Sequence, residues 1–185
     1  MIAEIRAIYR NDPAAHGLEF VLYAGFWAII AHKYLAHMLY LIHLRFLARF
    51  VSQLFRFLTG IEIHPGARIG KGLFIDHGMG IVIGETAVLG DDCVLFHGVT
   101  LGGTGKHHGK RHPSIGDRVL IGAHATLLGP ITVGSDVKIG AETVIINRDV
   151  PSDCTVVGAP GVIHRLRGAK TRRELEVSVL SEARD

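Results

Sequence analysis

Cysteine is nearly absent: the 185-residue chain holds two, Cys93 and Cys154, far apart and outside any Cys-x-x-Cys pair. That scarcity excludes a disulfide framework and a cysteine zinc site. It favours a reducing cytoplasm, as does the lack of a cleavable signal sequence at the start of the chain. An excess of one charge is also lacking, with 20 basic and 17 acidic side chains. The net charge is +3 and the sequence pI about 9.0, which permits attraction for anionic metabolites but is too weak and scattered for a nucleic-acid surface. No apolar run is long enough to span a membrane. The stretch from Phe20 to Ala31 meets His32 and Lys33, and the next is broken by His37, His43, Arg45 and Arg49. Glycine, by contrast, is plentiful at 23 residues with no collagen triplet, and 48% hydrophobic residues suffice for a core.

What the chain does have is a period. Aliphatic residues recur every six positions at Ile63, Ile69 and Ile75, then at Ile83, Leu89, Leu95 and Leu101, then at Ile115, Ile121, Leu127, Val133, Ile139 and Ile145. A helix needs apolar residues every three or four positions and a half-buried strand every two, so a strict six fits neither. It fits short strands and tight turns stacked as a solenoid, with each aliphatic side chain pointing inward.

Three segments follow. Residues 1–59 are expected to be helical, with Asp12 capping a helix that Pro13 begins. In that segment Arg45, Arg49 and Arg56 recur at spacings of four and seven, marking one solvated face of an amphipathic helix. The apolar remainder is expected to pack on a partner subunit, with His32, His37 and His43 as packing or interface residues. Residues 60–162 form the solenoid. The charged residues 163–185 read as a short surface helix or a loose tail.

The period breaks twice. The step from Ile75 to Ile83 is eight and contains Asp76-His77-Gly78, and the step from Leu101 to Ile115 is fourteen and extrudes a polar loop, Gly102 to Pro113. Functional side chains gather on loops held by a rigid scaffold, so both breaks are candidate sites. In a coil of three six-residue strands, a separation near eighteen returns to the same face one layer up, roughly 4.8 Å away. Glu62, fifteen residues before His77, is then within reach of its ring. A carboxylate holding one ring nitrogen leaves the other free to take a proton from a hydroxyl. Spacing alone is equally compatible with Glu62 and His77 as plain rim residues. Arg111 offers a planar fork for a carboxylate, and His112 a hydrogen bond or a proton. Basic loops carrying residues such as Lys106, Lys110 and Arg111 are more often simply solvated. The loop glycines, Gly102, Gly103, Gly105 and Gly109, are compatible with close backbone approach to a phosphate. His16, His64, His97, His124 and His164 have no partner set that the sequence identifies.

The strings Gly60-Ile61-Glu62-Ile63-His64-Pro65, Asp76-His77, Gly80-Ile81-Val82-Ile83-Gly84-Glu85-Thr86-Ala87, Gly98-Val99-Thr100-Leu101-Gly102-Gly103-Thr104-Gly105-Lys106 and Arg111-His112-Pro113 resemble those of serine O-acetyltransferases. The likeness runs in order from about Asn11 to about Val162. Hexapeptide repeats are shared by sugar, nucleotide and antibiotic acyltransferases, whereas the strings around His77 and Arg111 are more specific. The resemblance implies a mainly β protein, a left-handed parallel β-helix preceded by a small helical region. It further implies trimers with each site between neighbouring solenoids. The implied reaction moves acetyl from acetyl-CoA to the hydroxyl of L-serine, the first step of cysteine synthesis from serine, without a metal. Position by position, it makes His77 the general base and Glu62 the carboxylate that orients it. Asp12 and Asp76 match positions that bind the substrate amino group, Arg111 the grip on its carboxylate, and His112 a second histidine at the substrate. Gly103, Ala123 and Ala141 fall where the family lines its coenzyme A groove, with Lys138 nearby.

The chain also departs from the family pattern. Glu62 stands where many members carry aspartate. The helical region is shorter than in the long bacterial forms that pair two trimers, which leaves a homotrimer or a dimer of trimers. The tail Ser181-Glu182-Ala183-Arg184-Asp185 lacks the terminal isoleucine with which members dock into cysteine synthase, so that complex is not expected. Two other enzymatic readings compete. One is a gamma-class carbonic anhydrase, with His77, His107 and His112 as metal ligands between subunits. The other is acetyl transfer to a sugar or another hydroxyl. A third reading is a trimeric scaffold without activity.

Overall fold

The computed structural model describes residues 1–105 and 108–177. Lys106, His107 and the last eight residues of the tail lie outside the described residues. The six-residue period folds as a parallel β-solenoid of three sheets. The first sheet stacks Glu62–Ile63, Val82–Ile83, Thr100–Gly102, Thr126–Leu128 and Val144–Ile146. The second stacks Arg68–Ile69, Val88–Leu89, Ser114–Ile115 and Thr132–Val133. The third begins with Phe74–Asp76, Val94–Phe96, Leu120–Ile121, Lys138–Ile139 and Cys154–Val157. Successive coils keep register although their lengths differ. Val82 pairs with Thr100, eighteen residues on, whereas Glu62 pairs with Val82 across twenty and Thr100 with Thr126 across twenty-six. Both breaks in the period are therefore absorbed at corners.

Inside the prism, every period residue from Ile75 to Ile145 is at most 3% exposed. Burying one such aliphatic side chain contributes about 1.5–3 kcal/mol, and the stacked column is the main source of stability. A second inward position lies two residues earlier and is filled by Ile61, Ala67, Leu73, Ile81, Ala87, Cys93, Val99, Val119, Ala125, Ile131 and Val137, all nearly fully buried. Cys93 is one of this column, and Cys154 stands in the same relation to buried Val156. Burial pushes both thiols up to about 11.

The helical region comprises α1 (Ile2–Asn11), α2 (Ala24–Ala31), α3 (His37–Leu41) and α4 (Arg45–Thr59), with a single π turn at His32–Ala36 joining α2 to α3. Ala7 and Ile8 of α1 and Phe26 of α2 pack around Phe74 of the third sheet, which brings the end of α1 to the corner that carries His77. Asp12 does not cap a helix beginning at Pro13. Its Oδ1 instead accepts the Ala14 N–H at 2.8 Å and closes a turn, and the next helical residues are Glu19–Leu22. Along α4 the small residues Ala48, Ser52 and Thr59 are buried, and the Ser52 hydroxyl donates to the Ile63 carbonyl at 2.7 Å.

Two expectations are corrected. The arginine stripe of α4 is more than a solvated face, because Arg49 and Arg56 reach the Glu62 carboxylate at 2.9 and 3.2 Å. Meanwhile Phe46 and Phe57, 82% and 86% exposed, point away from the protein. The charged segment after Pro160 is neither helix nor loose tail through Val177. Val162–Leu166 and Ala169–Glu174 extend the third sheet antiparallel, and Glu176–Val177 pairs with Arg148–Asp149. No helix among the described residues is long and apolar enough to cross a membrane.

Candidate active site

The candidate residues gather at two edges of the first sheet. At the corner where the third sheet passes into the first, the chain leaves Phe74–Asp76 and turns through His77, whose φ of 59° is left-handed. The His77 ring is largely exposed, and its Nε2 lies 3.7 Å from Asp76 Oδ1. Asp12 is brought to the same corner by α1, close enough for His77 to act on its ionisation. The Tyr23 hydroxyl donates to Asp12 Oδ2. That bond, with the Ala14 N–H, holds the Asp12 carboxyl below its ordinary value and pushes Tyr23 up to about 12. Two carboxylates and an imidazole thus meet where an ammonium group and a hydroxyl would be received.

At the opposite edge, where the first sheet passes into the second, the extruded loop ends against the turn Gly84-Glu85-Thr86. Arg111 donates to Glu85 Oε2 at 2.6 Å, and the Tyr40 hydroxyl donates to Glu85 Oε1 at 3.2 Å. Partial burial opposes ionisation of Glu85, but Arg111, His64 and Tyr40 outweigh it and hold the carboxyl below its usual value. Thr86 locks the loop's end in place. Its hydroxyl oxygen accepts the N–H groups of Arg111 and His112 at 3.0 and 3.1 Å. His112 Nδ1 in turn receives the Thr86 N–H at 3.1 Å, with the Thr86 hydroxyl 2.9 Å away. Burial, with Arg111 beside it, lowers His112 to about 4, so at neutral pH the ring is uncharged and carries its proton on Nε2 as a donor. Lys110 donates to the Thr86 and Pro113 carbonyls at 2.8 and 3.2 Å, and burial lowers it to about 8.

Of the residues expected from sequence, the structure brings Asp12, Asp76 and His77 to one corner and Arg111 and His112 to the other. The expected approach of Glu62 to His77 is not seen: Glu62 is held by Arg49, Arg56 and Gln53, and among the described residues the carboxylate in ion-pair range of His77 is Asp76. Ala123 and Ala141 follow third-sheet strands and share the His77 edge. Gly103 belongs to the other edge, packed under the Arg111 carbonyl, and exposed Lys138 sits on the third sheet beside Leu120 and Thr155. Tyr23, Glu85 and Thr86 were missed as site residues. Glu85 and Thr86 lie in a string that carries the resemblance, whereas Tyr23 sits in an apolar stretch with no local signal. His97 and His124, which spacing left without partners, stack beside His77.

Comparison with known proteins bears on this geometry. A family profile described as a bacterial transferase hexapeptide (six repeats) matches residues 112–147. A serine acetyltransferase of Synechococcus elongatus is 57% identical over 168 residues, 89% of this chain and 68% of the relative. The crystal structure of the Neisseria gonorrhoeae serine acetyltransferase in complex with serine superposes with a TM-score of 0.82 at 47% identity, covering 88% of this chain and 66% of that one. The Brucella abortus serine acetyltransferase in complex with coenzyme A gives 0.85 at 42%, covering 92% and 68%. The chain spans about two thirds of the length of these relatives. These likenesses favour the acetyltransferase over the anhydrase, and with the solenoid and its two histidine-bearing corners in place, the chain belongs to the serine acetyltransferase family.

Proposed function

We propose that this protein transfers the acetyl group of acetyl-CoA to the hydroxyl of L-serine, releasing O-acetylserine and coenzyme A. The observation that carries the reading is the corner at His77, where an exposed imidazole stands beside Asp76 and the Tyr23-held carboxylate of Asp12. Serine docks its ammonium group on the two carboxylates, which leaves its hydroxyl at the ring. His77 takes the hydroxyl proton as the oxygen attacks the thioester carbonyl, and returns it to the departing thiolate. A positioned imidazole supplies roughly two to four orders of magnitude by this route. Arg111 grips the substrate carboxylate with the part of its fork that Glu85 leaves free. His112, neutral and donating through Nε2, steadies either that carboxylate or the developing oxyanion. Glu62, expected to orient the base, is instead paired with Arg49 and Arg56, so Asp76 is the carboxylate beside the His77 ring in this reading.

The two half-sites lie at opposite edges of one sheet, so a single serine meets both only if a neighbouring copy supplies the second edge. A homotrimer, alone or paired through the apolar helical face, meets that need. Acetyl-CoA would lie along the same seam over Ala123 and Ala141, with Gly103 of the facing edge opposite. The assembly is read as a cytoplasmic enzyme. The test is thiol release from acetyl-CoA by purified protein. Release should depend on L-serine and vanish in His77→Ala with the oligomer intact. Release with a sugar acceptor and none with serine, or full activity of His77→Ala, would overturn the reading.

A further inference from the structure

His77 is not an isolated ring. Its imidazole meets that of His97 edge to face, centroids 6.1 Å apart and planes at 82°, and His97 meets His124 in the same manner at 4.9 Å and 89°. Edge-to-face pairs with centroids about 4.5–7 Å apart attract one another, so the three rings form a continuous column up one corner of the solenoid. The backbone is shaped to accept it. His97 follows Phe96, which pairs with Asp76, so the two rings stand one layer apart, and the His97 carbonyl accepts the His124 N–H at 2.9 Å. Gly98 lies beneath the third ring, where an added Cβ would come within 2.2 Å of His124 Nδ1. His124 itself holds a φ of 58°, in the left-handed region where glycine is the least strained residue. His97 Nδ1 is buried without a hydrogen-bond partner among the described residues, so packing rather than bonding at that nitrogen fixes the ring.

Given the reading of His77 as the base, we propose that His97 and His124 are positioning residues, whose stacked rings hold the exposed His77 imidazole in the orientation that proton transfer needs. Among the described residues its one ion partner is Asp76 at 3.7 Å, beyond hydrogen-bond distance, so without the stack the ring is free to turn away. The role belongs to the rings' shape, not to their protons, and this separates the proposal from a proton relay.

The test is steady-state kinetics on the oligomeric protein with three variants. His97→Ala should lower kcat about tenfold with the KM for serine unmoved, because a displaced base costs rate without costing binding. His97→Phe, which keeps a flat ring but no titratable nitrogen, should restore most of that loss. His124→Gly should lower kcat about threefold while the melting temperature holds or rises, since glycine relieves the left-handed strain. Wild-type kcat in His97→Ala overturns the proposal. So does a His97→Phe enzyme as slow as His97→Ala, or a His124→Gly enzyme altered only in its KM for acetyl-CoA. His77→Ala is measured alongside. If it is active the base assignment falls, whereas an inactive His77→Ala beside a fully active His97→Ala removes the stack alone.

Discussion

The contact between Gly84 and His112 permits a sharp test of the second half-site. A Cβ at residue 84 would lie 2.0 Å from His112 Cδ2 and 2.2 Å from Nε2. Carbon atoms pack at about 3.5–4.0 Å, so in Gly84→Ala the ring must retreat by about 1.5 Å. A shift of that size carries Nδ1 out of hydrogen-bond range of the Thr86 N–H, now 3.1 Å away. Overpacking costs about 1–3 kcal/mol and the lost hydrogen bond about 1 more, for a variant that folds but melts earlier. The functional loss is larger, since a misplacement of 1 Å at a reacting centre is worth about 10²-fold in rate. Gly70→Ala serves as the control. Its Cβ would meet the Gly90 backbone carbonyl at 2.5 Å, a crowding at least as severe for stability at a corner that carries no site residue. Thermal melts and serine-dependent thiol release on both variants separate the two effects. Both should lose stability and only Gly84→Ala should lose rate. A Gly84→Ala enzyme with unchanged kcat and KM, alongside a lowered melting temperature, would refute the role given to His112.

Three further outcomes are expected. Tyr23→Phe removes the hydroxyl that donates to Asp12, so the KM for serine should rise about tenfold with kcat nearly unchanged, and steady-state kinetics check it. Cys93 and Cys154 are buried with thiols raised to about 11, so a thiol reagent at pH 8 should find neither in the native protein and both after denaturation. Acid should weaken the fold before carboxylates protonate. Burial, with His37 beside it, lowers His32 to about 3, and burial with Arg111 lowers His112 to about 4, while both titrate near 6.5 when unfolded. Below about 6.5 the unfolded chain binds more protons, so stability falls with pH by up to about 1.4 kcal/mol per unit for each histidine. Denaturant midpoints between pH 7 and 4.5 measure the slope. His32→Gln, which keeps a donor for the Ala67 carbonyl 3.1 Å away, should flatten it, and an unchanged slope would contradict the assignment.

The inward column from Ile63 to Ile145 was legible because its residues are uniformly large, aliphatic and evenly spaced. The second column escaped notice because it mixes Ile61 and Leu73 with Ala67, Cys93 and Ala125, so no single residue class marks it. His77 and Arg111-His112 were found by the interruptions that hold them. Their supports were not, since the Thr86 lock and the Tyr23 bond to Asp12 join residues 26 and 11 positions apart through corners that no local pattern describes. On α4 the spacing of Arg49 and Arg56 identified a stripe, but docking of the helix on Ser52 turned that stripe toward Glu62. The C-terminal strands were hidden by composition. All six residues of Ala169–Glu174 are exposed and mostly charged, so the segment reads as solvated chain although its backbone is paired.

Coils of eighteen, twenty and twenty-six residues all return to the same register. Length at a corner is therefore a free variable. At the corners that carry the twenty- and twenty-six-residue coils, the extra residues are carried outside the ladder and the next strand re-enters it at the same register. The strands that build the prism and the loop that bears Arg111 are thus largely separate segments of the chain, joined where Thr86 anchors the loop's end.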